Sequence, residues 1–150
     1  MMSAVQEMLL SDPAFRVYAV CVVVLVVKMT AVGSYTPIVR SRHKVTLNPE
    51  DAGRGGRTLV QAEHPEVERV LRAHRNDLEN IPSFFALGLI HVLVGGPLLG
   101  AYVCFIGFTL ARIGHSLFYL KGVQPWRSLC FGLGSLATAA LMVQILSRVL

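Results

Sequence analysis

The sequence is short of charge. Of its 150 residues only 15% are Asp, Glu, Lys or Arg, against 53% apolar. Soluble domains carry roughly 25% charged residues, so this chain has too few solvated groups to cover a water-facing surface, and lipid is the alternative. Acidic residues are scarcer than basic ones, nine against fourteen, which leaves a formal net charge of +5. That excess does not mark a nucleic-acid binder, because the basic residues flank hydrophobic runs instead of forming a soluble patch. Cysteine is scarce as well. Cys21, Cys104 and Cys130 are odd in number and sit inside apolar runs, where they read as small buried or lipid-facing residues that fix no redox compartment. Their spacing fits no metal site, so no metal is expected. The start, MMSAVQEMLLSDP, lacks the basic residues and small-residue cleavage site of a signal peptide. The first apolar run is therefore read as a retained membrane anchor. There is no internal repeat and no low-complexity tract, and the length suits one domain.

Long apolar runs are what the sequence does have. The first covers residues 14–39, with Lys28 in its middle. Residues 81–111 contain no Asp, Glu, Lys or Arg, and Gly95-Gly96-Pro97 breaks that stretch in two. Residues 129–146 are again free of formal charge. A span needs about 20 mostly apolar residues at 1.5 Å each. The charged segment 66–80, EVERVLRAHRNDLEN, follows His64-Pro65, a helix-start signal, and runs into the apolar IPSFFALGLIHVLVG. Within a bilayer only helices or closed barrels satisfy every backbone group. The expected fold is an all-α integral membrane bundle of four helices, at about 14–40, 66–95, 97–120 and 126–148. Arg40, Arg42, Lys44, Arg54 and Arg57 in the first connection, and Lys121 and Arg127 in the third, place both connections in the cytoplasm by the positive-inside rule. Segment 42–64 reads as either a structured loop or a mobile lid.

Ionisable groups at membrane depth are costly, and are usually paired or functional. Here they fall into stripes. Glu68, Arg72, Arg75 and Glu79 recur at helical spacing with Asn76 at the edge, and Arg112, His115, Ser116 and Tyr119 follow i, i+3, i+4, i+7. Arg127 and Ser128 open the last helix and Arg40 closes the first. A single arginine in this position is accounted for by snorkelling to headgroups, and a Glu–Arg pair by a helix ion pair; whole stripes are not. Lys28 suits an inter-helix salt bridge or a ligand role equally well. His91 stands alone on an apolar stretch. It reads as a satisfied histidine, with a proton or ion pathway through Lys28 and His91 as the other possibility. Arginines grip carboxylates in bidentate fashion, and a Glu receives an ammonium group. The set therefore suits a small zwitterion with more than one carboxylate, such as the tripeptide thiol glutathione, whose thiolate a nearby cation would favour. A phosphate or a fatty-acid headgroup would be attracted too.

Four segments resemble the MAPEG family, the membrane-associated proteins in eicosanoid and glutathione metabolism. They are Asn48-Pro49-Glu50-Asp51, VERVLRAHRNDLEN (residues 67–80), Arg112-Ile113-Gly114-His115 with Tyr119, and Pro125-Trp126-Arg127-Ser128. The branch they resemble holds microsomal glutathione transferases and microsomal prostaglandin E synthases. The resemblance implies a homotrimer of four-helix protomers that binds glutathione between neighbours, open to the cytoplasm, in the endoplasmic reticulum of a eukaryote or the inner membrane of a bacterium. It implies that Arg40, Arg75, Asn76, Glu79, His115 and Tyr119 bind glutathione, with Arg72 and Arg112 supporting them. Arg127 would stabilise the thiolate, Ser128 is a candidate thiol activator, and Asp51 would pair with Arg127 or assist proton transfer. The implied activity is transfer to a hydrophobic electrophile, peroxide reduction, or endoperoxide isomerisation. A non-catalytic lipid-binding scaffold of the same fold is the alternative. Thr30 and Phe131 depart from tyrosines of the synthase pattern, which removes a hydroxyl from the implied site.

Overall fold

The computed structural model describes residues 4–150; residues 1–3, part of the start read above as lacking a signal peptide, lie outside the described residues. A short helix α1 (Ala4–Ser11) leads into α2 (Pro13–His43), followed by α3 (Pro65–Leu93), α4 (Leu98–Lys121) and α5 (Trp126–Val149). The start of α2 and the end of α4 follow from local chemistry. Asp12 caps α2 by accepting from the Ala14 amide at 2.8 Å, and Pro13 occupies the first turn, where its missing N–H is not needed. At the far end of α4, Gly122 takes a positive φ of 69°, and the Val123 amide reaches back to the Phe118 carbonyl at 2.9 Å. This is the glycine-terminated closure that satisfies the last carbonyls.

Among the described residues, α2, α4 and α5 are long and apolar enough to cross a membrane. The fourth expected span, α3, has the length, since 29 residues rise about 43 Å. Its charged first half lowers its apolarity, and only the half after Asn80 is continuously apolar. The helix continues through Pro82 without ending there. The fold is thus an all-α bundle with its apolar surface turned outward. Val20, Val23 and Val27 of α2 and Leu133, Leu136 and Val143 of α5 are exposed, an arrangement that water would penalise and lipid does not.

The interior lies between α2, α3 and α4, with Leu141 of α5 buried in it. Phe84 and Phe108 stack with centroids 4.3 Å apart, and Phe105 meets Phe84 edge-on at 5.8 Å. Tyr18 donates its hydroxyl hydrogen to the Phe85 carbonyl at 2.8 Å. Its ring lies against Gly88, where an added Cβ would stand 2.7 Å from the ring. A second cluster of Val32, Val39, Val67, Val70 and Ala73 joins α2 to the start of α3.

The first connection carries short regular elements. Val45–Thr46 pairs in parallel with Thr58–Leu59, with 3-10 turns at Pro49–Asp51 and Arg54–Gly56 between them. At its base Arg40 forms an ion pair with Glu63, and His43 Nε2 meets Glu66 Oε2 at 2.8 Å.

Candidate functional site

The polar residues of α3 and α4 divide into an interior network and an open cluster. Asp77 is fully buried. It lies on the face of α3 that packs inward, in the series Val67, Val70, Ala73, Asp77, Ile81 and Phe84. Three side chains from two other helices converge on it. Lys28 Nζ of α2 donates at 2.5 Å, Arg112 Nη2 of α4 at 2.8 Å, and Ser116 Oγ of α4 at 3.4 Å. The same Arg112 nitrogen donates to Asn76 Oδ1 at 2.6 Å. Lys28 is therefore an inter-helix ion-pair partner. Asp77 falls outside the charged stripe of Glu68, Arg72, Arg75 and Glu79, and spacing alone gives it no role. The missed signal was an acid on the apolar repeat of α3, where its only compensation is a cation from a neighbouring helix.

The second cluster sits where α4 turns into α5. His115 is buried, and its Nδ1 donates to the Arg127 carbonyl at 3.0 Å. The Arg127 guanidinium lies 4.7 Å from the Tyr119 ring centroid, within cation–π range. The ring of Tyr119 in turn stands edge-on to His115 at 5.5 Å. Gln124, with its carbonyl oxygen turned toward Arg127, accepts from Nε at 3.2 Å and donates to Ser128 Oγ at 3.0 Å. Ser128 is exposed, and Arg127 is half-buried in the first turn of α5. No carboxylate pairs with Arg127 among the described residues. Buried polar atoms of this region lack partners within the chain: Arg112 Nε and Nη1, and His115 Nε2. A buried donor or acceptor left unpaired costs about 1–3 kcal/mol, so these atoms call for a polar partner.

The other sequence-derived residues lie elsewhere in the protomer. Arg40 is taken by Glu63 at the loop base. Asp51 accepts from Asn48 Nδ2 at 3.3 Å and stands 4.0 Å from Arg54; within one chain its charge is met there and not by Arg127. Arg72 pairs with Glu68 at 2.9 Å one turn earlier on an exposed face of α3. Arg75 and Glu79 are exposed on that helix with no ion-pair partner among the described residues. Glu79 borders a cleft between α3 and α5 that also has Ser83, Ser135 and Thr138 on its walls. The structure thus brings together Asn76 and Arg112, and separately His115, Tyr119, Arg127 and Ser128. It leaves Arg40, Asp51, Arg72, Arg75 and Glu79 outside both groups.

The model of the MAPEG family matches residues 18–147. Human prostaglandin E synthase is 39% identical over 141 residues, which covers 93% of each chain. The prostaglandin E synthase of Macaca fascicularis is 40% identical over 138 residues, 91% of each chain. Microsomal glutathione S-transferase 1 of Mus musculus is 38% identical over 139 residues, 89% of this chain and 87% of its own. A match of this extent, in order along the helices that carry the buried network and the Arg127 cluster, shows that the chain belongs to the MAPEG family.

Proposed function

We propose that this protein is a glutathione-dependent membrane enzyme that joins the glutathione thiolate to hydrophobic electrophiles, reduces lipid peroxides, or isomerises an endoperoxide in the manner of a prostaglandin E synthase. The observation that carries the reading is Arg127, a half-buried cation at a helix N-terminus with no carboxylate partner among the described residues. The positive end of α5 and the guanidinium both favour an anion at that point, and a thiol placed there ionises more readily. The names of two relatives, prostaglandin E synthase and microsomal glutathione S-transferase 1, supply the reaction classes.

In this reading the thiolate sulfur faces Arg127, with Ser128 as hydrogen-bond donor to it. The free Arg112 nitrogens supply buried donors to the peptide and His115 Nε2 a buried acceptor, and Tyr119 holds Arg127 in place. Arg75 and Glu79 remain for the charged ends of the tripeptide, as carboxylate and ammonium partners. Arg40 joins them once it releases Glu63, and Arg72 and Asn76 hold the frame. For conjugation, the sulfur forms a bond to an electrophilic carbon and the leaving group departs with the bonding pair. For a peroxide, a sulfur–oxygen bond forms as the oxygen–oxygen bond breaks, and the departing oxygen carries negative charge that Arg127 stabilises before a proton arrives. Asp51 assists that proton transfer from a neighbouring chain's loop or its own.

The exposed stripe Glu68, Arg72, Arg75 and Glu79 supports a homotrimer, since charges toward the middle of a membrane helix are tolerated where a second protein surface covers them. The basic connections face the cytoplasm, and the membrane is the endoplasmic reticulum in a eukaryote or the inner membrane in a bacterium. The test is an activity panel on purified protein with glutathione and, in turn, a chloronitrobenzene, a lipid hydroperoxide and prostaglandin H. Turnover of at least one supports the proposal. No turnover of any, with no calorimetric glutathione binding at millimolar concentration, would overturn it and favour a non-catalytic lipid-binding scaffold.

A further inference from the structure

Outside both clusters, the base of the first connection gathers three metal-ligating side chains. His43 closes α2, His64 caps α3, and Glu66 follows in the first turn of α3. Twenty-one positions separate the histidines in sequence, and the fold stacks their rings with centroids 3.6 Å apart and planes 17° from parallel. Glu66 Oε2 lies 2.8 Å from His43 Nε2, and one ligand atom from each of the three residues lies within 4.8 Å of the others. We propose that His43, His64 and Glu66 form a binding site for a divalent transition metal ion, zinc by its ligand set, that ties together the two ends of segment 44–63.

Two imidazoles and a carboxylate are a borderline-soft donor set that suits zinc over calcium or magnesium, and three protein ligands leave the fourth position to water. At zinc–ligand bonds of about 2.0–2.1 Å, tetrahedral ligand atoms stand about 3.4 Å apart. Contraction from 4.8 Å is a matter of side-chain rotation, because all three residues sit at helix ends or on the loop and none is in the packed interior. The rings fan out from their stack as they turn their lone pairs to one point. The cap hydrogen bond from the Glu66 amide to His64 Nδ1, at 3.3 Å, is given up. A metal at Nδ1 displaces the donor, and a metal at Nε2 leaves Nδ1 protonated. Arg42 and Arg69 line the same cleft as Glu66. Together with the positive end of α3 they hold the affinity below that of a structural zinc site.

The consequence lies in the loop. Segment 44–63 carries Asp51 and Glu63, the latter holding Arg40. A cation at its base would fix the ends of the parallel strand pair and slow opening of the segment. The inference stands apart from the glutathione reading and uses none of its residues as ligands.

Protein purified without a polyhistidine tag, in glutathione-free detergent buffer because both chelate zinc, is titrated with micromolar zinc chloride by calorimetry. Trypsin cleavage after Arg54 and Arg57 is followed with and without the metal. The expected result is one zinc per chain, cleavage slowed by zinc, and affinity reduced by about tenfold or more in His64→Gln and in Glu66→Gln. The exposed Glu66→Gln keeps the fold if the cap variant does not, and zinc-free melting temperatures distinguish the cases. Absence of zinc binding in the wild type, wild-type affinity in Glu66→Gln, or cleavage indifferent to zinc would each overturn the proposal.

Discussion

Lys28 Nζ of α2 lies 2.5 Å from Asp77 Oδ1 of α3, and the same carboxylate oxygen also receives Arg112 of α4 at 2.8 Å. One buried acid thus compensates two cations and joins three helices in the middle of the bundle. Removing the shared partner leaves the buried Arg112 and the partly buried Lys28 without a counter-charge, a loss of about 3–5 kcal/mol by the usual behaviour of buried ion pairs. Asp77→Asn is expected to lower the melting temperature in detergent sharply or to prevent folding. Lys28→Met, which leaves Asp77 paired with Arg112, is expected to cost much less. Melting curves of the two variants check the order; equal stability would mean that the interior network does not hold the helices.

Gly88 admits the Tyr18 ring, and an added Cβ would meet that ring at 2.7 Å. The ring is itself fixed by its hydroxyl bond to the Phe85 carbonyl and by edge-on contact with Phe105 at 5.7 Å. Gly88→Ala therefore overpacks the α2–α3 contact, with an expected cost of about 1–3 kcal/mol. Differential scanning fluorimetry of the detergent-solubilised protein reads it. A variant as stable as the wild type would show that Tyr18 relocates freely.

The Glu68–Arg72 pair offers a contrast. Both side chains are about half exposed in the protomer, and exposed pairs of this spacing contribute about 0.3–0.5 kcal/mol. Glu68→Gln is expected to leave protomer stability within about 0.5 kcal/mol. If a neighbouring chain covers this face, the variant weakens the oligomer instead. Native mass spectrometry beside the melting curve separates the two outcomes, and an unchanged oligomer in both Glu68→Gln and Arg75→Gln would remove the support that this stripe lends to a trimer.

The bundle was legible in the sequence because its signals are local: apolar runs of spanning length, the Gly95-Gly96-Pro97 break, and Pro65 at a helix start. The cluster of His115, Tyr119 and Arg127 was visible as helical spacing on α4 and as a basic residue at the start of α5. Asp77 was not, since its role depends on which way α3 rotates, and that rotation is fixed by packing against Lys28 and Arg112 from other helices. The same reason hid the meeting of His43 with His64, and the capture of Arg40 by Glu63. Both are contacts between a helix end and a returning loop, which no periodicity announces. Arg75 and Glu79 look inward in a pattern of charge but lie on the protomer's outer face, a distinction that spacing alone does not make.

The central claim is that Arg127, left without an acidic partner, holds glutathione as its thiolate. It is tested most directly by the ultraviolet absorbance of thiolate in the glutathione-bound protein at neutral pH, wild type against Arg127→Ala, with calorimetry confirming that both bind. The account predicts a thiolate band in the wild type, and in the variant bound glutathione without that band and with most turnover lost. An Arg127→Ala protein that keeps both the band and full turnover would contradict it.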